Sequence, residues 1–392
     1  MTQAVDPGAL LAWVRGERAA FVAFLSDLTA MESPTDEPER QRPVQEYMTS
    51  ALEALDYRVV RHPGRATGGA LLAAPRPRER GAPLQLVVGH TDTVWPVGTL
   101  AEMPVRLDGD RLSGPGTFDM KAGLTQMVFA LRALRAMGAQ PPATPVLLLN
   151  SDEETGSPES GRLVRRMAKR VARAFVPEPS WGEEGLLKTA RKGVGTFTVH
   201  IRGRAAHAGL NPGGGASAIT ELASVIRRVG ALADPEAGTT VNVGVVEGGT
   251  RPNVVAASAR AGVDVRVATM DEARRMEAAL HALQAETPGV SLEVQGAVTI
   301  PPLERTPRNR RLWAQAVEAA AALGHPLGET MVGGASDGSV ISLFAPTLDG
   351  MGAIGDGAHA VHEHVLVTPT LERTALLALL LMAPVDPLTV EP

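Results

Sequence analysis

Apolar residues recur at helical spacing over residues 17–32 and 39–56, with Glu32-Ser33-Pro34-Thr35 interrupting them, so the chain is predicted to open with two helices. Three continuous apolar runs then read as buried strands, at 84–89, 145–150 and 172–176. Helical periodicity fills 120–137 between the first two and about 159–171 between the second and third. This alternation is the βαβ rhythm of an α/β fold, a mostly parallel sheet with flanking helices. The runs end in Gly89-His90-Thr91-Asp92-Thr93, Ser151-Asp152-Glu153-Glu154 and Pro177-Glu178-Pro179. Ligands of open α/β sheets bind outside the carboxyl ends of the strands, so the active site is expected there.

From about residue 194 the pattern changes to a strand (194–201), a helix (216–228), strands near 239–247 and 257–267, a helix (271–285) and a strand (291–295). The order βαββαβ is ferredoxin-like and predicts an independent domain inserted into the first. Arg191-Lys192-Gly193 and Ile300-Pro301-Pro302 have the character of hinges, which gives a catalytic domain of residues 1–192 and 301–392 and an inserted domain of 193–300. The returning chain carries a long helix (309–323), a glycine-rich stretch at 333–338, and Gly355-Asp356-Gly357-Ala358-His359. A last apolar run, 375–385, is too short to span a membrane and is broken by Pro384, so it is expected to be a terminal core helix.

Composition narrows the chemistry. A net charge of −5 leaves no basic surplus for gripping a phosphate backbone, so no nucleic-acid partner is expected. The absence of cysteine removes disulfides, thiol catalysis and thiolate ligands, and any transition metal must sit on histidine and carboxylates. The opening residues lack the basic and apolar regions of a signal peptide, and a cytoplasmic location without membrane attachment is expected.

His90 and Asp92 lie two apart at a strand end and so face one side. A metal-bound imidazole usually gives its other nitrogen to a carboxylate, which casts Asp92 as the orienting partner. Asp119, amid glycines ahead of a helix, is an N-cap candidate but also a carboxylate whose two oxygens can bridge a metal pair. The adjacent Glu153 and Glu154 leave a strand in different directions, so one can ligate while the other faces a reacting water with a raised pKa. Asp152 is assigned to the following helix start. Glu178 is held stiffly between two prolines, and His359 stands in a glycine-rich loop. His362, Glu363 and His364 read as a solvated turn, and His62, His200, His281 and His325 as structural or surface residues. His90, Asp119, Glu154, Glu178 and His359 then form a sulfur-free set suited to two zinc ions, with Glu153 left as general base.

These motifs, together with Arg204-Ala205-Ala206-His207-Ala208-Gly209, resemble those of the co-catalytic di-zinc exopeptidases and deacylases, the family of carboxypeptidase G, aminoacylase, acetylornithine deacetylase and succinyl-diaminopimelate desuccinylase. The resemblance is nearest to the carboxypeptidase G branch. It implies two zinc ions per chain, or manganese or cobalt in their place: His90 and Glu178 on one, Glu154 and His359 on the other, Asp119 bridging. It further implies that Asp92 orients His90, that Glu153 activates the water, and that His207 on the inserted lid reaches the partner subunit's site in a homodimer. Asn253 and Arg266 are implied substrate binders, the guanidinium suiting a free carboxylate. The implied substrates are small peptides, cut to release the C-terminal amino acid, or N-acyl amino acids; the alternative is a deacylase. Val294-Gln295-Gly296-Ala297-Val298 lacks the additional arginine of glutamate-specific relatives, which argues against glutamate preference.

Overall fold

The computed structural model describes residues 5–79 and 81–385 and divides into two compact units. One takes the chain up to Thr189, Arg305–Met331 and the residues from Ser336 onward; the other is Ala190–Glu304 with Val332–Ala335.

The larger unit is built on a six-stranded sheet with the spatial order Tyr57–His62, Ala70–Pro75, Thr144–Asn150, Leu84–His90, Arg173–Val176, Thr347–Asp349. The last four strands run parallel, and the first two form an antiparallel edge on them. The expected α/β sheet is therefore present. The outermost strand, 57–62, carries the polar residues Arg58, Arg61 and His62, whereas 70–75, between it and 144–150, is wholly apolar. His90 is paired with Asn150, so the segments leaving these two strands start level with each other.

Three helices, not two, open the chain: Pro7–Gly16, Arg18–Thr29 and Pro38–Glu53. The first is set by Asp6, whose side chain accepts the Ala9 N–H at 2.6 Å, and by Pro7 at the first helical position. Helix Ala122–Ala136 is buried along almost its whole length, where Phe129 meets Phe21 and Phe24 edge-on. The apolar run near the end belongs to the buried helix Val367–Met382. Among the described residues no helix is long and apolar enough to cross a membrane.

The smaller unit follows the βαββαβ order, with strands Gly193–Arg202, Thr240–Gly248, Ser258–Val267 and Ser291–Ile300 and helices Ala218–Gly230 and Met270–His281. Its antiparallel sheet has the order 240–248, 258–267, 193–202, 291–300, as in ferredoxin-like folds. Ser217 and Thr269 cap the two helices, and their apolar faces close over Phe197, Val199, Val263 and Val265.

Candidate metal centre

His90 ends the 84–90 strand with its ring almost wholly buried. Its Nδ1 lies 2.9 Å from the Asp92 carbonyl oxygen and 3.4 Å from Asp92 Oδ1, which assigns the proton to Nδ1 and leaves the Nε2 lone pair free to ligate. Nε2 is 3.2 Å from Asp119 Oδ1 and 3.4 Å from Glu178 Oε1. On the other side of Asp119, His359 Nε2 lies 3.4 Å from Oδ2 and 3.2 Å from Glu154 Oε2. Asp119 thus shows one oxygen to each imidazole.

Each ligand candidate is placed by local backbone. Asp119 is not a helix cap: it is extended (φ −115°, ψ 100°), and the helix begins at Ala122 with Lys121 before it. His359 has φ 61°, a left-handed conformation allowed here in a tight turn. Glu153 and Glu154 occupy a single 3₁₀ turn after the 144–150 strand, ended by Gly156 at φ 86°. Asp92 fixes that turn, its carboxylate accepting the N–H groups of Glu153 and Glu154 at 3.4 and 3.2 Å and the Thr35 hydroxyl at 2.8 Å.

The donor set fits a metal pair on three observations. Atoms held about 2.0–2.2 Å from a common tetrahedral centre lie about 3.3–3.6 Å from one another, and the four carboxylate contacts of His90 Nε2 and His359 Nε2 span 3.2–3.4 Å. Ligand atoms of His90, Asp119 and Glu154 all lie within 4.8 Å of one another, as do those of His90, Glu153 and Glu178. Glu154 Oε1 is buried without a hydrogen-bond partner, an arrangement that a cation resolves.

The electrostatics have the same origin. Burial opposes the charged form of His90, but Asp119, Asp92 and Glu178 push its pKa well above the usual histidine value. His359, held by Asp119 and Glu154, is pushed up to about 10. Loss of hydration, followed by the charge of Glu178, drives Glu153 well above the ordinary glutamate value. Glu154 is raised by burial against the pull of His359, whereas for Asp119 the contacts with His359 and His90 overcome burial and lower it.

In the smaller unit, His207 is exposed, and its Nδ1 accepts the N–H groups of Gly209 and Leu210 at 3.2 and 3.1 Å, which leaves Nε2–H as the outward donor. Asn253 is its neighbour through the Ala208 N–H, which donates to the Asn253 carbonyl at 3.0 Å. Arg266 forks onto Asp264 at 2.9 and 3.1 Å and reaches the Gly333 carbonyl at 3.5 Å.

Two residues escaped the sequence reading. Asp337 is buried in the larger unit and accepts bonds from Asn150 Nδ2 at 2.7 Å and Ser157 Oγ at 2.6 Å, bracing the segments on either side of Glu153 and Glu154. Its only local signal was Ser336-Asp337 after a glycine pair. Glu363, expected in a solvated turn, is instead 1% exposed. Its neighbour His362 is exposed and pairs with Asp356 at 3.4 Å.

An α/β sheet with a histidine and carboxylate cluster at its strand ends and an inserted ferredoxin-like unit defines a metal-dependent hydrolase. Residues 86–383 match Peptidase family M20/M25/M40. The chain belongs to that family and is one of its metallopeptidases. Carboxypeptidase G2 of Pseudomonas sp. (strain RS-16) is 28% identical over 376 residues, 93% of this chain and 89% of the relative. Among solved structures, the aminopeptidase PepT of Bacillus cereus ATCC 10987 superposes with a TM-score of 0.78 at 23% identity, covering 93% of this chain and 98% of that one. The YXEP protein of Bacillus subtilis, described as a dinuclear metal-binding peptidase of the M20 family, gives 0.70 at 16% identity, covering 94% and 98%.

Proposed function

We propose that this chain is a di-zinc carboxypeptidase-type hydrolase that cleaves the amide bond next to a free carboxylate, releasing the C-terminal amino acid of small peptides or of N-acyl amino acids. The observation that carries the reading is Asp119 between His90 and His359, with a Glu153 carboxylate oxygen within 4.8 Å of the ligand atoms of His90 and Glu178. His90 and Glu178 would hold one ion, Glu154 and His359 the other, and Asp119 both. When bound, the pair would supply positive charge that acidifies water and polarises the scissile carbonyl.

The remaining work falls to the chain's own residues. Asp92 keeps the His90 Nδ1 proton in place. A Glu153 carboxylate oxygen takes a proton from the attacking water and delivers it to the leaving amine nitrogen; burial, which raises its pKa above the ordinary glutamate value, makes it a better base for that exchange. His207 Nε2–H donates to the developing oxyanion from the partner subunit, and Arg266 and Asn253 bind the substrate, Arg266 at its carboxylate. The smaller unit, expected at 193–300 and comprising Ala190–Glu304 with Val332–Ala335, acts as lid and dimerisation domain, and the larger unit as the catalytic domain. The dimer is supported by strand 240–248, an edge of its sheet with Val245 and Val246 more than half exposed. Support for the carboxypeptidase reading comes from the similarity to Carboxypeptidase G2 along 93% of the chain. With no arginine at 294–298, glutamate is not assigned as the preferred side chain.

The test is metal content by elemental analysis together with amino-acid release from a panel of dipeptides and N-acyl amino acids, for wild type and Glu153→Ala. The expected result is two zinc ions per chain in both proteins and hydrolysis only in wild type, reduced about 10²–10⁴-fold by the substitution. Release confined to N-acetylated amino acids would replace the carboxypeptidase reading by the deacylase one. A wild type that neither binds zinc, manganese or cobalt nor hydrolyses anything in the panel would sink both.

A further inference from the structure

Glu363 is a buried carboxylate that neither the ligand set nor the proton transfer uses. Its Oε1 accepts the backbone N–H groups of Phe118 and Asp119 at 2.9 and 3.0 Å. Its Oε2 accepts the Gly116 N–H at 2.8 Å and the Trp95 indole N–H at 2.7 Å. Three of these four donors lie in the irregular segment that presents Asp119. That segment has left-handed backbone at Gly116 (φ 71°) and non-helical angles at Asp119 and Met120, so its N–H groups cannot be satisfied by regular structure.

Glu363 also shares its loop with His359, between the paired strands Gly355–Asp356 and His364–Leu366. One loop therefore meets Asp119 at both ends: the His359 ring 3.4 Å from Oδ2, and Glu363 on the backbone N–H. The loop is closed tightly, for a Cβ on Gly357 would lie 2.8 Å from the Glu363 backbone. Only an acceptor-only group satisfies four converging donors; a glutamine would turn its NH₂ toward two of them.

Building on the dinuclear reading above, we propose that Glu363 is a positioning residue that fixes the Gly116–Asp119 segment, so that the bridging carboxylate is set for two ions before metal arrives. A purely structural role would lower stability and leave metal affinity alone. The two are separated by titrating zinc into the metal-free full chain, by calorimetry or against a chromophoric chelator, for wild type, Glu363→Gln, Trp95→Phe and Glu32→Gln. Glu32 is the control because it braces the stretch just after Trp95, accepting the Gly98 and Leu100 N–H groups at 2.9 Å, without a hydrogen bond to the Gly116–Asp119 segment.

Loss of a partner that orients a ligand typically lowers metal affinity about 10–100-fold. Glu363→Gln with a wild-type circular dichroism spectrum is expected to show that loss for at least one equivalent. Trp95→Phe, which removes one donor of four, is expected to show a smaller one, and Glu32→Gln none. Wild-type affinity at both equivalents in folded Glu363→Gln overturns the proposal. If Glu363→Gln does not fold, Trp95→Phe decides: lowered affinity supports it and unchanged affinity overturns it. A wild type that takes up no zinc overturns the dinuclear reading itself.

Discussion

Asp92 Oδ2 accepts the backbone N–H of Glu154 at 3.2 Å, so the carboxylate beside the His90 ring is also the anchor of the acidic turn. Asp92→Ala should therefore do more than loosen one imidazole. It leaves the Thr35 hydroxyl and the turn N–H groups without their acceptor in a buried place, at about 1–3 kcal/mol for each group left unsatisfied. Zinc affinity should fall by about 10–100-fold and the metal-free protein should unfold at lower denaturant. Zinc titration and urea unfolding of the variant check both; a fall in affinity without any loss of stability would reduce Asp92 to a ring orienter.

Asp337 gives the metal-free protein a pH signature. Burial raises its pKa from 3.8 to about 6 against the bonds from Ser157 and Asn150. Between these values the folded chain keeps a proton that the unfolded chain has lost, so stability falls as pH rises from about 4 to about 6 and this contribution levels off above. Asp337→Asn removes the titrating group while keeping an acceptor oxygen. Urea unfolding of both proteins at several pH values should show the wild type losing stability relative to the variant as pH rises through that window; equal slopes would refute it.

How much of this was legible in the sequence depends on where each residue's partners lie. His90, Glu153, Glu154 and Glu178 follow apolar runs that can only be buried strands, and parallel packing puts such ends together. The ferredoxin-like order of the second unit was legible for the same reason, since its elements are long and periodic. Asp119 and His359 sit in irregular loops, marked only by glycines. Glu363 was missed because its four donors come from residues 95 and 116–119, far away in the chain, and only the folded loop brings them to one carboxylate. Strand 57–62 escaped because it lies at the sheet edge with solvated, polar positions, and 70–75 because its apolar run Ala70-Leu71-Leu72-Ala73-Ala74-Pro75 is rich in alanine and closes on proline, residues depleted in strands.

Arg266 offers a third prediction. Its fork onto Asp264 holds the guanidinium in a fixed plane, with the Gly333 carbonyl as a further acceptor. Hydrogen bonds to a charged group contribute about 1.5–3 kcal/mol, so Arg266→Ala should raise KM about 10–100-fold with metal content unchanged. Substrates with an amidated C-terminus should be poor for wild type and little affected further by the substitution. Equal loss on free and amidated substrates would remove Arg266 from carboxylate recognition.

His207 makes the strongest demand on the proposed assembly. Its Nδ1 is already occupied by two backbone N–H groups, so the ring has one proton to give, on Nε2. Loss of one oxyanion donor costs about 10²–10³ in kcat, and His207→Ala should show this at full zinc occupancy. If the donor comes from the other subunit, His207→Ala and Glu153→Ala are separately inactive yet complementary. A mixed dimer then contains one site with an intact Glu153 and an intact histidine from its partner. An equimolar mixture, after subunit exchange, should recover up to about a quarter of wild-type activity, because half of the dimers are mixed and each has one working site of two. No recovery despite exchange verified by mass would place His207 in its own subunit's chemistry, or in none, and would leave the exposed 240–248 edge without a catalytic reason to pair.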